Sequence, residues 1–305
     1  MESLGSSYAS PLSCYVIPGC DFATLIADEL HVHLKPLQIS FREMSQKKQF
    51  HPDSNLHPEA TGLAKTTVEA HAKEQPLKFY AGWFCPFVQR AWLILEEKKI
   101  QYQYIEVNPY HKPESLLDLN PRGLVPTLAY NDRPLYESTV LCEFLEDAFP
   151  DSTPKVFPED PYEGTDENMG GLCNNEQQAK DGENVVREEF LGKLKEFTRE
   201  MDKEGPYFWG KEPKMVDFAI APWAVRLWVF DHFKSGLGIP EEGQGGDDEG
   251  AWARWRKWLS AIEERDSVKA TTSEKQYFIP IYQRYADNTA QSELAKATRS
   301  GRGVP

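Results

Sequence analysis

The sequence predicts a mixed α/β domain followed by an all-helical domain. Three observations carry that prediction. Strand, helix and strand patterns follow one another over residues 77–107, two more short strands and a helix complete the unit by residue 150, and beyond a proline-rich stretch only helical periodicity recurs. The chain has 305 residues, enough for two domains of ordinary size, and 40% hydrophobic residues suffice to build their cores.

Residues 1–75 are polar, with scattered Pro, His and Ser and no sustained period. They read as a largely disordered extension with little packed structure before Thr61. Met44, followed by Ser45 and a basic run, reads as an alternative start codon. His51, His57 and His71 match no helical ligand spacing and have no acidic or cysteine partner beside them, so no metal site is expected.

Residues 77–83, aromatic and apolar, read as a short buried strand. Cys85 follows, then Pro86, then a segment whose Phe87, Val88, Ala91, Trp92 and Leu95 recur three and four apart like one face of a helix. Proline suits a first helical position, because its φ is already helical and its missing N–H would have had no partner there. Cys85 therefore belongs to the strand-to-helix turn, its sulfur near the free N–H groups of the first turn. Those groups and the helix dipole favour an anion, so the thiol is expected to titrate below neutral pH. The competing reading makes Cys85 a small, inert core residue. Val88 stands where a C-x-x-C motif carries its second cysteine, so any adduct on Cys85 needs an external thiol for release.

Residues 100–107 alternate like a second strand, and strand, helix, strand requires a right-handed crossover and a parallel pair. Residues 108–122 read as loop and short helix. Residues 125–130 and 134–136, joined by a turn at Asn131 and Asp132, read as an antiparallel hairpin. A helix then opens at Ser138, whose hydroxyl is placed to cap it, and runs to Ala148. This order, βαβ then ββα, is that of a thioredoxin-like domain with a mixed four-stranded sheet, spanning residues 76–150.

Residues 151–162 form a Pro-rich linker, and residues 163–286 read as the all-helical domain, with a tail over 287–305. Within it, residues 185–201 place Val186, Phe190, Leu194 and Phe197 on one face, and residues 215–230 read as one apolar helix and the spine of the domain. Residues 251–264 place Trp252, Trp255 and Leu259 opposite Arg and Lys. Tyr282 and Tyr285 are expected to return towards the first domain.

Composition excludes several classes. A net charge of −14 and no large basic cluster argue against a nucleic-acid partner. Five widely spaced cysteines suggest a reducing interior and not a disulfide framework; Cys142 reads as core, and Cys14, Cys20 and Cys173 lie in segments expected to be disordered. The lack of a long apolar run and of a secretory-type start points to a cytoplasmic protein with no membrane partner.

Residues 85–90 (CPFVQR), 111–115 (HKPES), 120–128 (NPRGLVPTL) and 136–150 (YESTVLCEFLEDAFP) together closely resemble the omega class of cytosolic glutathione transferases. The resemblance covers residues 77–150 and resumes over residues 185–285. It implies the glutathione-transferase fold, usually a homodimer, glutathione as co-substrate and no metal. Carried over residue by residue, it makes Cys85 the nucleophile and Lys112 the group that reaches the glycine carboxylate of glutathione. Val125, before a cis Pro126, would turn its backbone to the cysteinyl moiety; Glu137 and Ser138 would hold the γ-glutamyl amine and carboxylate. The implied reaction is thiol transfer, meaning deglutathionylation or dehydroascorbate-type reduction of small electrophilic or glutathionylated substrates, with weak conjugation. Residues 164–184 depart from the family, which has a long amphipathic helix there. They are Gly-rich and polar, so they read as loop, with one helix missing and any dimer weakened. Asp217 matches half of a capping box whose other half, a Ser or Thr, is here Lys214. The rival reading is a non-catalytic, glutathione-transferase-like binding or regulatory protein with an eroded helical domain.

Overall fold

The computed structural model describes residues 56–158, 183–287, 289–291 and 300. Much of the predicted extension, most of the polar segment 164–184, Cys14, Cys20 and Cys173 lie outside the described residues.

The sheet forms from four short apolar strands: Leu77–Ala81 (β1), Gln103–Glu106 (β2), Thr127–Tyr130 (β3) and Arg133–Tyr136 (β4). Their order is β2-β1-β3-β4, with β1 parallel to β2 and antiparallel to β3, and β3 antiparallel to β4, so the sheet is mixed as expected. The β3–β4 turn bends at Asn131 and Asp132, both left-handed with φ of 50° and 62°, the geometry a tight hairpin demands. Helix Pro86–Glu97 (α2) crosses between β1 and β2, burying Val88, Ala91, Trp92 and Leu95 against the sheet. Helix Glu114–Leu119 (α3) precedes β3, and Ser138–Ala148 (α4) packs beside α2, burying Leu141, Cys142 and Leu145.

One part of the extension is ordered. Helix Gly62–Ala70 (α1) begins just after Thr61, the point before which little packed structure is expected, and lies inside the stretch 1–75. Its hydrophobic pattern is weak, and long-range contacts settle it. The Thr61 backbone N–H donates to Ser273 Oγ (3.1 Å), the Glu274 N–H donates to Thr61 Oγ1 (3.0 Å), and Ala60 and Ala64 are fully buried.

The second domain holds Glu183–Glu200 (α5), Met215–Ala224 (α6), Trp228–Lys234 (α7), Glu249–Glu264 (α8), Asp266–Thr271 (α9) and Lys275–Ala286 (α10). Phe190, Leu194, Phe197, Trp255, Trp258 and Phe218 fill its core. The single helix expected over 215–230 is broken at residues 225–227. Pro222 has no N–H for the ladder, and the following bonds tighten: Arg226 N–H donates to Trp223 O (2.9 Å) and Leu227 N–H to Ala224 O (3.2 Å). Asp217, fully buried, accepts from Lys214 N–H (2.8 Å), Phe208 N–H (2.9 Å) and Trp258 Nε1–H (2.7 Å). The half capping box read in the sequence is thus the half that forms.

The two domains are riveted by polar side chains. Arg265 clasps Glu97 through Nε (2.7 Å) and Nη2 (2.5 Å), and Gln89 Nε2 donates to Thr271 Oγ1 (3.1 Å) and Thr272 Oγ1 (2.8 Å).

Candidate active site at one end of the sheet

Strand directions decide where the site residues emerge. β1 runs towards Cys85; Ala81 pairs with Glu106 at the end of β2; Tyr80 pairs with Thr127 at the start of β3; and Thr127 pairs with Tyr136 at the end of β4. The segments carrying Cys85, Lys112, Val125 with Pro126, and Glu137 with Ser138 therefore all leave from the same end of the sheet. The topology alone brings the predicted set together.

Cys85 is the N-cap of α2, extended at φ −78° and ψ 123°, with Pro86 in the first helical position as the sequence predicts. Its N–H donates to Gly82 O (2.9 Å), and its carbonyl accepts from Gln89 N–H (3.0 Å), which fixes the turn. The thiol is free and partly buried. Burial pushes it up from its ordinary value. The backbone amides of Val88 and Phe87 pull it down, as do the guanidinium groups of Arg226 and Arg90, without reversing the shift. The expectation of a thiol titrating below neutral pH is therefore corrected. The helix start acts as predicted, but the second domain packs over the turn and removes water that the sequence argument left in place.

Glu106 joins the same turn. Its Oε1 accepts from Trp83 N–H (3.1 Å) and its Oε2 from Tyr104 Oη–H (3.1 Å), while Trp83 Nε1–H donates to His57 O (3.0 Å). Burial raises this carboxyl to about 8. At neutral pH it is mostly uncharged and sets little negative charge against a thiolate two residues beyond Trp83.

Of the residues expected to bind, Glu137 is exposed, Lys112 and Val125 are half-buried, and Pro126 and Ser138 are buried. Lys112 Nζ reaches Arg122 O (3.4 Å), and its stem lies across Gly123, where an added Cβ would meet Lys112 Cδ at 2.7 Å. Gly123, at φ 60°, thus serves both the turn and that close approach. The Val125–Pro126 bond is cis. Glu137 holds a left-handed backbone, φ 76°, uncommon for a residue with a Cβ, and its carboxylate pairs with Arg122 Nη1 (3.2 Å) at the surface. Ser138 is buried, and its hydroxyl accepts from Arg90 Nη1 (2.9 Å) and does not cap α4 as expected. Positive Lys112 and Arg122, acidic Glu137 and the start of α4 offer complements for two carboxylates and one ammonium, the charges of glutathione.

Four contributors were missed in the sequence: Gln89, Arg90, Glu106 and Arg226. Gln89 and Arg90 stand inside the CPFVQR motif, and Arg226 was visible as the charge interrupting an apolar run. Arg90 also donates to Ala219 O from Nε (3.4 Å) and lies over the Trp223 ring (4.7 Å), so it bridges α2, α4 and α6. Among the described residues no group of three or more His, Cys, Asp or Glu is placed to hold a metal ion.

Comparison with known proteins agrees with this geometry. The family model for "Glutathione S-transferase, N-terminal domain" matches residues 84–148, and that for "Glutathione S-transferase, C-terminal domain" matches residues 167–261. The glutathione S-transferase omega-1 of Sus scrofa is 36% identical over 166 residues, 50% of this chain and 67% of the relative. The omega-2 protein of Rattus norvegicus is 29% identical over 231 residues, 70% of this chain and 86% of the relative. Among solved structures, glutathione transferase Omega 3C from Trametes versicolor superimposes with a TM-score of 0.59 at 39% identity, covering 71% of this chain and 98% of that one. With fold, sheet-end geometry and sequence in agreement, the chain belongs to the omega class of the glutathione S-transferase family.

Proposed function

We propose that the protein is a glutathione-dependent thiol transferase with Cys85 as its nucleophile. The observation that carries this reading is a free cysteine, and no Tyr or Ser, at the N-cap of α2, beside the segments that bear Lys112, Val125 with Pro126, Glu137 and Ser138. Cys85 thiolate attacks the glutathione sulfur of a mixed disulfide; the S–S bond breaks, and the substrate leaves as a thiolate that takes a proton from solvent. A second glutathione thiolate then attacks the glutathione sulfur of that adduct, forming oxidised glutathione and returning Cys85 as the leaving thiolate. Dehydroascorbate-type reduction uses the same thiol, and conjugation of electrophiles is weak because a cysteine captures glutathione where a hydroxyl would activate it.

The proposal includes a cytoplasmic location. It also includes a homodimer, weakened if the polar segment 164–184 replaces a helix. No helix among the described residues is long and apolar enough to cross a membrane. The upward push of burial on Cys85 favours the non-catalytic rival, as does the polar segment 164–184 in the sequence. Retention on immobilised glutathione together with glutathione-dependent reduction of a mixed disulfide tests the proposal; retention without turnover supports the rival.

A further inference from the structure

Arg226 lies on the broken turn between α6 and α7 and is 4% exposed. Its Nη1 donates to Gln89 Oε1 and to the Pro222 carbonyl. That carbonyl is the acceptor its own backbone N–H would have used in an unbroken helix, so the kink both frees the carbonyl and turns the guanidinium inward. Its Nε and Nη2 are buried and make no hydrogen bond of ordinary geometry, although the Tyr282 hydroxyl lies near enough to act on the guanidinium, and among the described residues no carboxylate is ion-paired with it. A buried cation without an anion is costly, and a protein interior keeps one only where an anion meets it.

The surroundings identify that anion. Gln89, which holds Nη1, sits one helical turn after Cys85, with its N–H on the Cys85 carbonyl. The groups facing Cys85 are Arg90 on its own helix, Tyr104 on β2, Arg226, and Tyr282 on α10; Phe278, 5.1 Å beneath the guanidinium, walls the other side. Glu106 acts one step away through Tyr104 and is mostly neutral at pH 7. Tyr282 and Cys85 are thus the two groups beside Arg226 whose ionised forms are negative, and a thiol ordinarily ionises at a lower pH than a phenol, which singles out Cys85.

We propose that Arg226 is a positioning residue for the Cys85 thiolate, supplied by the helical domain, so that the reactivity of a thiol in the first domain depends on docking of the second. The guanidinium offsets the penalty that burial places on the sulfur. It favours the thiolate both when Cys85 attacks and when it departs from its glutathione adduct. This inference rests on Cys85 being the reactive thiol, and it names the group that keeps a buried one ionisable.

Alkylation with neutral iodoacetamide, followed as carbamidomethylation of the Cys85 peptide by mass spectrometry across about pH 6–11.5, tests it without needing turnover. Arg226→Met and Arg226→Gln are expected to raise the midpoint by about one unit or more, an approximately tenfold lower thiolate fraction at pH 7, while Arg226→Lys keeps most of the wild-type rate. The Gln variant preserves a donor for the Pro222 carbonyl and serves if the Met variant does not fold, as read by circular dichroism. An unchanged midpoint in either folded neutral variant overturns the proposal, as does a Lys variant no better than the neutral ones. If the midpoint shifts but mixed disulfides are not reduced, Arg226 is assigned correctly and the thiol transferase reading is wrong; the reverse result separates them the other way.

Discussion

The molecule sets an ionisable group at the start of a helix in two places, and the two differ in what completes them. At the start of α6 the group is the Asp217 carboxylate, fully buried and bound by the N–H groups of Lys214, Phe208 and Trp258. At the start of α2 it is the Cys85 sulfur, partly open, with two backbone amides and two arginines around it. Burial pushes both groups up, yet the first carries three fixed hydrogen bonds and the second keeps a side free. A helix start closed by the chain itself stabilises the fold. One left incomplete is available for chemistry.

The largest effect that would break this contrast is catalytic. Cys85→Ser is expected to reduce thiol transfer by a factor on the order of 10³ or more, because a hydroxyl neither ionises nor forms the mixed disulfide, while glutathione binding persists. Glutathione-dependent disulfide reduction near the wild-type rate in that variant would move the chemistry elsewhere. The same substitution should change unfolding stability by less than about 1 kcal/mol.

The mirror experiment is Asp217→Ala. It leaves three buried donors without an acceptor and is expected to cost about 3 kcal/mol of stability, read from urea unfolding, with Cys85 alkylation in the folded protein nearly unchanged. A cost below about 1 kcal/mol would place Asp217 among ordinary caps.

Lys112→Met sharpens the contrast from the binding side. Calorimetry should show glutathione affinity falling about tenfold, roughly 1.4 kcal/mol, with little change in stability, since the lysine's contact within the protein is a 3.4 Å surface bond to a carbonyl. An unchanged affinity would remove it from the glutathione site.

A further effect is a change of stability with pH. The Glu106 carboxyl is raised to about 8 in the folded chain from an ordinary 4.5, so the folded state binds the extra proton between those values. Stability contributed by this group is fully present below about 4.5 and is lost as pH rises to about 8. Glu106→Gln should flatten that part of the stability profile; a profile identical to wild type would show that Glu106 is ionised in the fold.

Much of this was legible in the chain. The helix Ser138–Ala148 was placed to the residue, because a hairpin before it and an apolar face along it both fix its frame. Pro86 marked the start of α2 and so placed Cys85. What escaped depends on pairs far apart in sequence. Helix α1 is held by Ser273 and Glu274 across more than 200 residues, and Arg226, on the break at residues 225–227, meets Gln89 across 137. The Cys85 titration was misread for the same reason. Local geometry predicts the amides around the sulfur, but only docking of the second domain reveals the burial.

The clasp between Thr61 and the loop before α10 has a consequence for exchange with solvent. Each side contributes one amide and one hydroxyl: Thr61 N–H to Ser273, and Glu274 N–H to Thr61. Neither amide is released to deuterium unless both sides part, so the two should exchange at a common rate although 213 positions separate the residues. The beginning and the end of the described fold open as one gate.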